Sequence, residues 1–277
     1  MFCIMETLKS VQLFNQQYNC FLYSTHLQKT EEDVKKLFEE LKHYSVIVIQ
    51  PHYSNPEYNM DNIVKHTSSH CHVIIIPSAY FNYYYPNLTY LRDKHNNIIK
   101  SPSDYHDKLL VELRHLNDEN IIYNTFLKHI NDPYYFSSQY LDDLANKSIY
   151  ELQTREMKFI NELYEHPRKY MFVSISTFIK NNYKEQLLFY SMNHPTVYLF
   201  RYVCEEILKL LHINYSLKSC NIDLLNHTKC VLYESVKKNV YFDTSTHVFI
   251  INNITDLREL MSKYMKSYIG HETLHSC

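Results

Sequence analysis

The residues best suited to move a proton lie in the run Ser191-Met192-Asn193-His194-Pro195-Thr196. Histidine has the ordinary pKa nearest neutrality, so a small push makes it a neutral base for a hydroxyl or thiol proton. Here the spacing supplies a push. Asn193 reads as a helix N-cap, Pro195 suits the first turn, and His194 stands at the positive end of the helix dipole, which lowers its pKa. The same residues also make an ordinary capping turn with no chemistry. Thiols are offered by seven cysteines, at 3, 20, 71, 204, 220, 230 and 277. A thiol is a nucleophile only where a base or positive neighbour lowers its pKa, so most of them, such as Cys204 in an apolar helix, read as inert core residues. Their odd number and irregular spacing fit reduced thiols.

Two other clusters have reactive residue types. His66, His70, Cys71 and His72 could ligate zinc, but the i, i+4 histidine pair needs a helix while Cys71 opens a strand. They read as exposed turn histidines, and no metal is expected. Tyr105-His106-Asp107 sets an imidazole beside a carboxylate, and a helix start capped by Ser103 or Asp104 explains it as well. The chain has one glycine, Gly270, against 27 tyrosines. A P-loop, a G-x-G-x-x-G turn and a G-x-S-x-G elbow all need glycine's backbone freedom, so none can be built here. Tight turns fall to Asn and Asp.

These residues need a frame to hold them. Thr30-Glu31-Glu32-Asp33 is a strong helix start, continuing through Val34, Leu37, Phe38 and Leu41. Tyr44–Pro51 and Cys71–Pro77 are nearly continuous apolar strands, with a helix around 61–66 between them. That order implies βαβ units and a parallel sheet, whose sites gather beyond the strands' carboxyl ends. Those ends carry Gln50-Pro51-His52 and Pro77-Ser78-Ala79-Tyr80-Phe81. A helix is expected over 4–16 and a short strand over 18–23. From 103 the pattern turns helical: one helix bearing Leu109 to Leu116, one over 120–130, and a long one over 137–164, broken near Asn146-Lys147-Ser148. Residues 170–180 are apolar without a clear type. An amphipathic helix follows Thr196, with Val197, Leu199, Phe200, Val203, Ile207 and Leu208 on one face. The tail has apolar bursts at 230–233 and 248–251 and a closing helix over 255–265.

With 277 residues, 45% hydrophobic content and a net charge of −2, the chain suits a soluble globular protein. That charge gives no footprint for nucleic acid, no stretch reaches a membrane span, and the first residues lack a signal peptide's pattern. A cytoplasmic protein is expected. No repeat or linker divides it, so the reading is one domain over 1–212, with a sheet portion to about 100 and a helical portion over 103–212. A small subdomain takes 213–277.

Four motifs stand in a consistent order: Val46-Ile47-Val48-Ile49-Gln50-Pro51; Ile75-Ile76-Pro77-Ser78-Ala79-Tyr80-Phe81 with Tyr85-Pro86; Asp104-Tyr105-His106-Asp107; and Asn193-His194-Pro195-Thr196 before its apolar helix. Together, over roughly 3–212, they resemble the WcbI-type family of polysaccharide-biosynthesis enzymes, regarded as acetyl-coenzyme-A-dependent acetyltransferases of capsule sugars. The resemblance implies an α/β fold with a parallel Rossmann-like or SGNH-like sheet followed by a large helical part. It implies acetyl-coenzyme A as cofactor and a small-molecule or glycan acceptor. The family carries a Gly-Asn-Cys-Gln motif after its first strand. Cys3 matches that cysteine by position, although the motif's Gly and Asn and the first strand are missing before it. Cys20 has Asn19 before it but lies too close to the Val46 strand.

The implied chemistry is acyl transfer, with His194 as general base, Cys3 at the thioester, and Gln50 supporting the oxyanion. Asn193, Tyr80, His106 and Arg155 would meet the cofactor, with Lys158 and Arg168 as further basic residues. The three basic residues read equally as ordinary exposed charges on a long helix. Two other readings stay open. One is a non-catalytic interaction protein using the tyrosine-rich 80–85 as a contact surface, although such aromatic platforms also bind sugars. The other is an SGNH-type hydrolase with water as acceptor.

Overall fold

The structure, a computed structural model, describes residues 2–21, 30–51, 60–116, 118–164, 170–217, 223, 225–269 and 275–276. Two short helices open the chain, α1 (Phe2–Lys9) and α2 (Gln12–Gln17). Then come α3 (Glu31–Leu41), β1 (Val46–Ile49), α4 (Met60–Lys65) and β2 (His72–Ile75). Short strands β3 (Leu88–Thr89), β4 (Leu91–Arg92) and β5 (His106–Asp107) lead to α5 (Lys108–Leu113), α6 (Glu119–Ile130) and α7 (Ser138–Tyr164). The chain continues through β6 (Tyr170–Phe172), α8 (Ser176–Asn182) and α9 (Val197–Leu210). It closes with α10 (Glu234–Lys237), α11 (Leu257–Tyr268) and β7 (His275–Ser276). The elements fall into two compact units, each assembled from separated stretches. The first holds Met1–Ala79, Tyr150–Lys180 and Leu199–Ile222; the second holds Tyr80–Ile149, Asn181–Tyr198 and Asp223–Cys277. The tail from 223 therefore joins the second unit instead of standing apart.

The first unit carries a parallel sheet in the order β1-β2-β6, with Ile49 opposite Ile75 and Val73 opposite Tyr170. Central β2 is sealed on both faces, and Val73, Ile74 and Ile75 are all buried, as a continuous apolar run requires. The third strand comes from the stretch that had no clear type, because three residues are too few to show a period. Val34, Leu37 and Leu41 of α3, Ile63 of α4 and Phe159 of α7 pack against Ile49, Val73 and Ile75 in one core. α3 starts as its sequence dictates: the Thr30 hydroxyl accepts from the Asp33 N–H, and the Asp33 carboxylate accepts from the Thr30 N–H. The single helix expected over 4–16 is two, because Ser10 turns its hydroxyl onto the Thr7 carbonyl at 2.6 Å. The strand expected over 18–23 is absent at 18–21, and its last two residues lie outside the described ones.

The second unit is built on aromatic rings. Phe81, Tyr83, Tyr84 and Tyr85 are each at most 2% exposed, which corrects the reading of 80–85 as a contact surface; Tyr80 alone of that run is exposed, at 41%. The buried phenols donate to main-chain carbonyls: Tyr83 to Asn239 at 2.7 Å, Tyr84 to Tyr183 at 2.7 Å, and Tyr85 to Phe189 at 3.2 Å. Burial pushes the Tyr84 and Tyr85 hydroxyls well above the usual phenol pKa. α7 runs unbroken through Asn146-Lys147-Ser148, since Leu141, Ala145 and Ile149 keep a buried stripe at four-residue spacing. α5 is capped by Asp107, which accepts from the Leu109 N–H at 2.9 Å, and not by Ser103 or Asp104. Burial raises the Asp107 carboxyl to about 7. Asn96, Asn252 and Asn253 take positive φ, the role that scarce glycine leaves to asparagine. The tail's two apolar bursts meet where Lys229 and Ile250 exchange both main-chain hydrogen bonds.

Candidate functional site

The loop around His194 is a turned-back ribbon, not a helix start. The Tyr190 N–H donates to the His194 carbonyl at 2.7 Å and the Thr196 N–H to the Leu188 carbonyl at 2.9 Å, with a bridge between Phe189 and Pro195. α9 begins only at Val197. The N-cap assignment of Asn193 and the first-turn place of Pro195 are corrected accordingly. Proline lacks the N–H that an interior pair would need, so it suits an extended edge position as well as a first turn.

Freed from capping, Asn193 organises a polar network. Its Oδ1 accepts from the Tyr105 hydroxyl at 2.6 Å and from the fully buried Ser191 hydroxyl at 3.3 Å. Its Nδ2 donates to the Tyr90 hydroxyl at 2.9 Å. The Ser191 oxygen in turn accepts from the main-chain N–H groups of Asn193 and His194. The His194 ring packs edge-on against Tyr105 at 5.2 Å, and Tyr105 stands 5.7 Å from Tyr90. The Nδ1 of His194 is buried without a hydrogen-bond partner. Burial, helped by His227 and opposed by Asp104, lowers its pKa to about 4. The imidazole is therefore neutral near pH 7, but desolvation holds it so, not a helix dipole. It can accept a proton from a group brought to it.

The other expected residues separate clearly. Tyr80 is exposed and lies close enough to Tyr90 to act on its phenol. His106 is fully buried, with Nε2 at 2.9 Å from the Ile99 carbonyl and Nδ1 at 3.1 Å from the Tyr268 hydroxyl. Both ring nitrogens are spent on the fold, which corrects its assignment to a cofactor. Those residues belong to the second unit. In the first unit, Gln50 sits half-buried immediately beyond β1. Arg155 of α7 donates from Nη1 to the carbonyl of Ser78, beyond β2, at 2.8 Å, and its Nη2 lies 3.7 Å from Glu151. Lys158 is exposed on the same helix, and Arg168 and His52 lie outside the described residues. Cys3 is in the first turn of α1, with a side chain outside the described ones. Burial raises the Cys20 thiol, while Cys71, Cys204 and Cys230 are buried.

Sequence reading missed Tyr90, Tyr105 and Ser191 as partners, and Glu156 as a buried hydrogen-bond acceptor. Glu156 accepts from the Ile175 and Ser176 N–H groups at 2.8 and 3.0 Å and from the Ser174 and Ser176 hydroxyls at 3.0 and 2.5 Å. It fastens the start of α8 beyond β6. No spacing rule announces such a partner, since it lies some twenty residues away on another element. Among the described residues no group of three His, Cys, Asp or Glu could hold a metal ion, and no helix is long and apolar enough to cross a membrane. The His66 ring stacks on Phe38 at 4.3 Å, and its Nδ1 bonds the Asn62 carbonyl.

The family model described as polysaccharide biosynthesis enzyme WcbI matches residues 3–216. A solved structure of WcbI aligns over 96% of this chain and 84% of its own, with a TM-score of 0.73 and 18% identity. It is described as a novel polysaccharide biosynthesis enzyme, in a native form without a disulfide bond between coenzyme A and one of its cysteines. At that identity the likeness speaks for the fold. No curated protein matches this chain.

Proposed function

The chain belongs to the WcbI family of polysaccharide biosynthesis enzymes, and from that premise we propose that it is an acetyltransferase carrying an acetyl group from acetyl-coenzyme A to a sugar or polysaccharide precursor. The observation that carries this reading is the neutral, half-buried imidazole of His194, whose buried Nδ1 has no partner in the protein. A buried polar atom left unpaired costs free energy, which an incoming hydroxyl or amine would recover.

Acetyl-coenzyme A supplies an activated acyl group and a thiolate leaving group. His194 takes the proton of the acceptor's hydroxyl or amine as the new bond to the acyl carbon forms, and returns it to the sulfur as the C–S bond breaks. Within the first unit, Gln50 just past β1 and Arg155, fixed on the Ser78 carbonyl, keep the oxyanion and cofactor-phosphate roles that the family resemblance gives them. An arginine already pinned by a main-chain carbonyl fits that task, because less side-chain freedom is lost on binding. Cys3 keeps the thiol role by position; Cys20 suits it less, since burial disfavours its thiolate.

The test is release of free thiol from acetyl-coenzyme A, with and without sugar acceptors. Acceptor-dependent release is expected, and His194→Gln should lower kcat by about 10²–10⁴-fold with cofactor affinity kept. Equal release without acceptor would make the protein a hydrolase, and binding without release would make it a scaffold. Either overturns the transferase reading.

A further inference from the structure

We propose that a cavity inside the second unit, between α5, α6, α11 and the 230–233 segment, is a binding site for a short primary aminoalkyl group, with Asp107 as the anion that receives the ammonium. The first ground is the space itself. Its volume is about 30 Å³, room for roughly two or three water-sized groups. Leu110, Phe126, Leu260 and Met261 wall it with apolar surface, while Leu88 and Leu257 are only half-buried and form its more open side. Every residue around it belongs to the second unit, and neither His194 nor Asn193 is among them. It is therefore separate from the site described above.

The second ground is the inventory of donors and acceptors in the wall. Asn87 Nδ2 donates to the Tyr233 hydroxyl oxygen at 3.2 Å, and that hydroxyl donates to Asp107 Oδ2 at 2.8 Å. Tyr233 has thereby used its only proton. An ionised carboxylate offers about four acceptor positions. The Tyr233 hydroxyl and the Leu109 and Leu110 N–H groups take three of them. What Asp107 still offers is an acceptor, so a guest must donate to it; a carboxylate or phosphate, which only accepts, finds no place. The third ground is charge. Among the described residues Asp107 makes no ion pair. Its surroundings push the carboxyl up to about 7, the cost of holding an anion away from water without a cation. An entering ammonium removes that cost. Capping α5 does not require the charge, since asparagine caps a helix as well as aspartate does.

The site is independent of the transferase reading, and its test needs no turnover. Saturation-transfer NMR on the full chain at pH 8 would compare ethylamine with ethanol and acetate, three guests of similar size and different head group. Ethylamine should receive saturation several-fold above ethanol, and acetate none. Asp107→Asn, which keeps the shape and the cap and removes the charge, should cut the ethylamine signal several-fold. Leu257→Trp, which closes the more open side and leaves Asp107 in place, should cut it as well. No saturation of ethylamine would mean a cavity that holds water only. That result, an acetate signal equal to that of ethylamine, or an ethylamine signal undiminished in either folded variant would each overturn the proposal. Thioester consumption does not enter the measurement, so loss of this site would leave the transferase reading standing, and the reverse.

Discussion

His194 carries an unpaired Nδ1 in a buried place, so its presence is a cost to the fold as well as an opportunity for chemistry. Leaving such an atom unsatisfied typically costs ~1–3 kcal/mol, whereas an apolar group of similar size there can be neutral. His194→Leu is therefore expected to unfold in urea within about 1 kcal/mol of wild type, or to gain stability, while losing transfer activity. A larger loss would mean that the imidazole holds the loop together. Its titration has a definite sign. The unfolded ring protonates near 6.5 and the folded one near 4, so below about 6.5 the unfolded state binds the extra proton. Stability should fall as pH drops through that window, and His106 and His247, lowered by burial as well, push the same way. Thermal unfolding of His194→Leu should show a shallower acid slope than wild type; an identical slope would remove His194 from the account. The Asn-His-Pro-Thr run was legible as a place of interest, because few residue types move protons near neutrality. Its geometry was not, since a cap and a turned-back loop use the same Asn and Pro.

At the scale of elements, two helix starts of different construction invite comparison. α3 is capped locally by Thr30 and Asp33, both at the surface; α8 is held by Glu156, reaching across from α7. Thr30→Ala should cost about 1 kcal/mol, the usual worth of a cap. Glu156→Ala strands two buried N–H groups and leaves two hydroxyls unpartnered, so it should cost about 3–5 kcal/mol in urea unfolding. A Glu156→Ala loss no greater than that of Thr30→Ala would mean that water replaces the carboxylate. The local start was readable from Thr30-Glu31-Glu32-Asp33, because a capping box is written in four consecutive residues. The distant one was not, because its partner is chosen by the fold. The same distinction explains the strands: the long apolar runs of β1 and β2 were plain, while β6, only Tyr170–Phe172, takes its identity from pairing with β2.

Over the whole chain, composition foretold the replacement of glycine by asparagine at positive φ, but not that eight of the described tyrosines would be buried in a core. A phenol counts as polar or apolar according to whether a carbonyl lies within reach of its hydroxyl, and those carbonyls, such as Asn239 for Tyr83, lie far along the chain. The tail from 223 was hard to place for a related reason: its short bursts pair with one another and with the loop at Tyr190, whose carbonyl accepts from the Cys230 N–H at 2.8 Å. The hydroxyl-bearing core has a consequence in alkali. Tyr84, Tyr85 and Tyr264 are held far above the ordinary phenol value, so each contributes stability below pH ~10 that disappears as the pH climbs past it. Ultraviolet titration near 295 nm should accordingly run in two stages: surface rings ionise gradually and reversibly, and the hidden ones redden together only when circular dichroism collapses. A single smooth curve over all the rings would mean that base reaches the interior of the second unit without dismantling it.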